Sequence, residues 1–141
     1  METTIEYRNH CKTIAEELER VTSGELHVCA ECGEWITYQE AEDEEGYTVF
    51  ITSCSHVMDS EPEMVSVFSW LDCVLDVEYR IGYDGEYRSS RIMVAYGGPN
   101  IYIDTATSTI ELYWWGDRAT YYVGSDACHT LDTYMEELYN Q

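Results

Sequence analysis

Two close pairs of soft donors are the first residues in the chain whose types and spacing could do chemistry. Cys29 and Cys32 are separated by two residues and followed by Gly33, and Cys54 stands two positions before His56. A Cys-x2-Cys-Gly run is knuckle chemistry: the glycine lets the backbone turn its amides toward the sulfurs. A tetrahedral ion then needs two further donors. Cys54 and His56 are the obvious second pair, with His27 in reserve. Strand-like residues 47–52 would bring them back to the first pair in hairpin fashion. Structural zinc, a degenerate module and plain buried thiols remain three open readings. A redox role is not expected, because the surrounding carboxylates raise a thiol pKa instead of lowering it.

The layout resembles a treble-clef or ribbon-type zinc module. It departs from that pattern in its second half, which is Cys-x-His where the module has Cys-x2-Cys.

Carboxylates are the second chemical feature. The 141 residues carry 28 Asp and Glu against 7 Lys and Arg, a formal charge of −21. Such a chain repels phosphate, which argues against nucleic-acid binding and against attachment to an anionic membrane. A basic protein surface is the expected partner. The acids come in blocks, densest at Glu40, Glu42, Asp43, Glu44 and Glu45, then at Asp59, Glu61 and Glu63. An EF-hand reading of the first block fails. Aligning Gly46 to the loop glycine puts Ala41 and Thr52 at ligand positions, so a solvated acidic loop is expected there.

Density decides whether these acids could imitate DNA. The surface-scaling rule gives roughly 7,500 Å², so evenly spread carboxylates average about one per 270 Å². Duplex DNA carries about one charge per 110 Å² of its cylinder. Only clustering on about a third of the surface closes that gap, and the blocks favour it. Halophilic adaptation, the rival reason for −21, would spread acids over every face.

Enzyme signatures are absent: no Gly-x-Ser-x-Gly, no His-Glu-x-x-His and no phosphate loop occurs. The chain is expected not to be an enzyme and to need no catalytic cofactor. Tyr113, Trp114 and Trp115 with Tyr121 and Tyr122 could make a stacking platform. Alternation puts one tryptophan outward, and the blander expectation packs it under the acidic loop or a helix. His10 and His129 fall on predicted helices as surface residues.

The positioning elements follow from periodicity. Residues 3–21 have an apolar stripe of Tyr7, Cys11, Ile14, Ala15, Leu18 and Val21, with Gly24 as a stop. Pro62 has helix-start chemistry, and Val65 to Val74 reads as a short helix. From about Leu75 the period changes to two, with turns at 83–85, 97–100, 105–109 and 116–117. Ser125 is expected to cap a last helix with Ala127, Leu131, Tyr134, Met135 and Leu138 inward. The fold expected is α+β, an antiparallel β-meander of four to five strands packed with N-terminal and C-terminal helices, as one domain over 1–141. Its parts are the 1–24 helix, the acidic and knuckle segment 25–63, and the scaffold 64–141. No export signal or membrane-length apolar run is seen, and reduced cysteines fit a cytoplasmic place in a bacterial host.

The stretch Arg91-Ile92-Met93-Val94-Ala95-Tyr96-Gly97-Gly98-Pro99-Asn100-Ile101-Tyr102-Ile103-Asp104-Thr105, with Glu111-Leu112-Tyr113-Trp114-Trp115-Gly116, resembles small acidic uncharacterised proteins of bacterial mobile elements. In size and charge the chain is similar to anti-CRISPR and antirestriction proteins that imitate DNA. That likeness implies an inhibitor occupying the basic DNA- or RNA-binding channel of a host defence nuclease, a CRISPR effector or restriction enzyme. The named acids would be phosphate surrogates. The alternative is a zinc-stabilised protein–protein adaptor or regulatory module.

Overall fold

A computed structural model describes residues 4–141 as three helices and three antiparallel sheets. The first residue of the predicted N-terminal helix, Thr3, lies outside the described residues. Helix α1 covers Thr4–Ser23 and buries Tyr7, Cys11, Ala15, Leu18 and Val21, the apolar stripe read from spacing. Gly24 stops it. At φ +79° this glycine adopts the left-handed conformation, and the Glu25 amide returns to the Arg20 carbonyl at 2.8 Å, a closure that caps helix carbonyls.

Six short strands follow: β1 (His27–Val28), β2 (Trp35–Ile36), β3 (Tyr38–Glu42), β4 (Thr48–Thr52), β5 (Val57–Met58) and β6 (Glu63–Met64). They form two small sheets, ordered β2-β1-β6 and β3-β4-β5. The acidic block is therefore not a free loop. Glu40 and Glu42 lie on β3, and only residues 43–47 turn the hairpin. Asp43 makes that turn, since its Oδ1 accepts from the Glu45 and Tyr47 amides, each at 2.9 Å.

The helix start expected at Pro62 is also corrected. Glu63 and Met64 pair with Val28 and His27, and ladder bonds to β1 hold the chain extended past the proline. Helix α2 (Val67–Leu71) begins later, capped by Ser66, whose side chain accepts from the Ser69 amide.

The remaining strands are β7 (Asp76–Ile81), β8 (Tyr87–Ala95), β9 (Asn100–Asp104), β10 (Thr109–Trp114) and β11 (Asp117–Tyr122). They form one sheet ordered β11-β10-β9-β8-β7, the expected meander. Helix α3 (Ser125–Tyr139) closes the chain, with Gly124 at its N-cap and no side-chain cap bond. Ser125 is thus the first helical residue and not the cap; Gly124 supplies the extended backbone an N-cap position needs.

One face of the meander is covered. Ile92, Ile101, Ile103, Ile110 and Leu112 pack with the inward residues of α1 and α3 and with Trp70 and Leu71 of α2. The opposite face carries Arg80, Arg91, Tyr102, Asp104, Glu111, Tyr113 and Arg118, tied to one another. Arg80 grips Asp104 through two 2.7 Å bonds, and Arg91 lies 3.8 Å over the Tyr102 ring. A second, smaller core of Cys29, Ile36, Phe50 and Met58 sits inside the hairpin segment. Val28 and Trp35, cross-strand partners, attach that segment to the main core. No helix among the described residues is long and apolar enough to cross a membrane.

Candidate metal centre

Two tight turns build the site from opposite directions. In the first, the Cys29 amide bonds the Glu34 carbonyl at 2.9 Å and the Gly33 amide bonds the Cys29 carbonyl at 2.8 Å. Gly33 has φ +74°, which a residue without Cβ adopts freely. The second turn joins β4 to β5. There the Thr52 amide bonds the His56 carbonyl and the Ser55 amide bonds the Thr52 carbonyl, both at 3.0 Å. Ser55 has the same φ, +74°, as Gly33. One residue in the left-handed conformation between Cys54 and His56 brings both side chains to the same side. That is how a Cys-x-His pair replaces a longer spacing.

The four side chains meet. The Sγ atoms of Cys29, Cys32 and Cys54 and a ring nitrogen of His56 all lie within 4.8 Å of one another, a cluster that could hold a metal ion. Cys32 Sγ is 3.6 Å from Cys54 Sγ, too far for a disulfide. His56 Nδ1 is 3.2 Å from Cys54 Sγ and 3.5 Å from Cys29 Sγ. Cys29 is buried at the base while Cys32 is exposed at the rim. His27, the reserve donor, does not join. Its Nδ1 lies 3.2 Å from the Glu25 carbonyl, and its ring packs edge-on against Tyr38.

Electrostatics favour a thiolate at Cys54. The Thr52 hydroxyl, 3.0 Å away, is the main cause, helped by the His56 amide and imidazole; together they pull the thiol down to about 6. At Cys32 the Glu34 amide pulls downward, but desolvation and the neighbouring sulfurs outweigh it and leave the thiol at about 11. The His56 ring is pushed up, chiefly by its bond to Cys54. Behind it, His56 Nε2 faces Glu31 Oε2 at 3.5 Å. A carboxylate behind a ligating imidazole fixes which nitrogen points forward. Sequence reasoning missed Glu31, although its position inside the Cys-x2-Cys spacing was a signal.

All eight predicted contact acids are exposed, and none of them is in an ion pair among the described residues. They do not form one block. Glu42, Asp43, Glu44 and Glu45 cluster at the hairpin end. Glu61 accepts a hydrogen bond from the Tyr38 hydroxyl, whose proton is held more tightly by Glu61 and, more weakly, by the charge of Glu40. Glu63 lies on β6, in the other small sheet. The total surface, 8803 Å², exceeds the scaling figure, so evenly spread acids would fall further short of DNA.

Comparison with protein-family models, with curated proteins and with solved structures found no match.

Proposed function

We propose that this chain is an acidic, non-enzymatic inhibitor whose metal-bound hairpin lobe occupies the basic nucleic-acid channel of a defence nuclease, of anti-CRISPR or antirestriction type. The observation that supports it is the set of exposed carboxylates on residues 40–45 and 59–63, none in an ion pair among the described residues. In a chain of −21, carboxylates without cationic neighbours keep their charge available for Arg and Lys of a partner. Competition for DNA loading onto a Cas9-type effector and onto a restriction enzyme tests this. Inhibition should weaken steeply with added salt. Unchanged DNA loading on every enzyme tried, or salt-independent affinity, would sink the proposal.

The ion that best suits the cluster is zinc. Three thiolates and one imidazole form a closed structural donor set, and a tetrahedral zinc spaces such donors about 3.5–3.8 Å apart. The observed separations are 3.2, 3.5 and 3.6 Å. Cys29, Cys32, Cys54 and His56 would hold it, and its role would be to tie the two turns together. Metal analysis of protein purified without added zinc should return about one ion per chain. A metal-free, folded hairpin lobe would overturn this assignment.

A second reading, the zinc-stabilised adaptor, is favoured by a specific surface. Ile51 and Val57 are cross-strand partners, 46% and 52% exposed, on the outer face of β3-β4-β5. An apolar centre with an acidic rim is the anatomy of a protein–protein interface. Under this reading Ile51→Asp abolishes partner binding, and salt hardly changes the parent's affinity.

A further inference from the structure

The tip of the β10–β11 hairpin bears two costs, strain and exposure. Trp115 and Gly116 make the turn with φ +50° and +81°, the mirror-image geometry in which Asn-Gly is preferred. Among the described residues, the other non-glycine residues with positive φ are serines, Ser55 and Ser108. A bulky aromatic in this conformation is strained. Its indole is also 85% exposed. Neither the acidic hairpin nor a helix covers it, contrary to expectation; it touches Trp114 edge-on, with centroids 5.5 Å apart. Strain and exposure together on one tryptophan point to a ligand that uses the ring.

A cleft opens beside it. Asn100, Tyr113, Trp114, Trp115, Asp117 and Arg118 line about 570 Å³, within the range of small-molecule sites. The walls are mainly aromatic, and beside the Tyr113 hydroxyl, which bonds Glu111, and the indole N–H groups, the polar side chains are one amide, one carboxylate and one guanidinium. Arg118 is already placed, 5.6 Å over the Tyr113 ring and 3.9 Å from Glu111. Arg118 is already balanced by Glu111, so the lining offers no free cation to hold an anionic guest. The chain's −21 repels an anionic one.

The geometry points to a saccharide-binding site, in which a neutral pyranose ring stacks on Trp115 and hydrogen-bonds Asn100, Asp117 and Arg118. A pyranose suits these walls because its C–H face is apolar and slightly positive, matching the negative face of an indole. Its rim of hydroxyls both donates and accepts, which an amide, a carboxylate and a guanidinium can satisfy together. The site lies on the meander hairpin and does not depend on the inhibitor reading.

The test is a two-dimensional amide NMR titration of the whole chain with maltohexaose, chitohexaose and cellohexaose at millimolar concentration. Adenosine and choline are the comparison ligands. At least one oligosaccharide should shift the Trp115 indole signal and the amides of residues 113–118. Trp115→Asn restores the preferred turn pair, so it should fold with an equal or higher Tm while the response falls roughly tenfold or more, equivalent to about 1.4 kcal/mol. The site is refuted if no oligosaccharide shifts that indole, if the amide shifts of residues 113, 114 and 116–118 survive undiminished in Trp115→Asn, or if only adenosine or choline shifts the indole.

Discussion

Among the described residues, twenty-one buried side chains hold the helix-covered meander together, whereas the hairpin lobe has four, one of which is the candidate ligand Cys29. The meander follows the usual route, with a sheet face and two helix stripes removing apolar surface from water. The lobe cannot follow it. Three strands of two to five residues with Ile36, Phe50 and Met58 beneath them are too small a core to outweigh the entropy of ordering the chain. The lobe also carries the densest negative charge, which works against compaction. On the proposed metal assignment, an ion pinning its two turns would supply what burial does not.

Metal removal should break this comparison most sharply. A strong chelator, or Cys32→Ser, should collapse amide-exchange protection over residues 27–58 while leaving the meander and α3 protected. Structural zinc contributes an apparent 10–16 kcal/mol or so in small modules, far above any single side chain here. Protection that persists over 27–58 without metal would show that the lobe folds by burial after all.

Leu112→Ala probes the other side of the comparison. Leu112 is fully buried in the main core, and its truncation should cost about 2–5 kcal/mol of global stability in urea unfolding. Met58→Ala should cost less, because Met58 has few apolar neighbours and, on the proposed metal assignment, ligation would hold the turns beside it. A larger loss at Met58 than at Leu112 would reverse the assignment.

Legibility in the sequence follows the same division. Where burial dominates, periodicity reports it: the stripes of α1 and α3 and the strand alternation of the meander are visible as spacing. In the hairpin lobe, hydrogen bonds and the convergence of the Cys29, Cys32, Cys54 and His56 donors decide, and these leave little pattern. The donor set was readable because Cys-x2-Cys-Gly is a local signal. The turn of Ser55 into a glycine-like conformation, the capture of Glu63 and Met64 by β1 and the Glu31–His56 pair were not. Each depends on a partner distant in sequence or on a backbone angle that residue type alone does not dictate. Trp115 broke its rule in the opposite sense. A residue unsuited to its turn is invisible to turn preferences.

A pH-dependent contrast comes from Arg80 and Asp104 on the open meander face. Arg80, chiefly, holds the Asp104 carboxyl below its ordinary 3.8. A depressed carboxyl stabilises the fold at pH values above its unfolded pKa, and that stability is lost as pH falls through the lower folded value. Arg80→Gln should therefore cost about 1–2 kcal/mol at neutral pH, the solvent exposure of Arg80 keeping it modest. The difference from the parent should shrink below about pH 4. A gap that stays constant on acidification would mean that packing, and not the ion pair, is lost.

The smallest stability effect should come from the acidic hairpin, and it separates function from folding. Glu42, Glu44 and Glu45 are exposed and unpaired, so reversing all three to Lys should change stability by no more than about 0.5 kcal/mol and could raise it by easing self-repulsion. Asp43 must be left alone in that experiment. Its carboxylate accepts from the two amides that form the turn, and Asp43→Ala should cost roughly 1 kcal/mol through the loss of those bonds. If the hairpin is what a basic partner grips, the triple reversal abolishes inhibition at an unchanged Tm, and Asp132→Lys with Glu136→Lys and Glu137→Lys on α3 has a lesser effect. Inhibition lost through the α3 reversal, with the hairpin reversal silent, would move the partner surface to the meander side of the molecule and leave the metal lobe as scaffold.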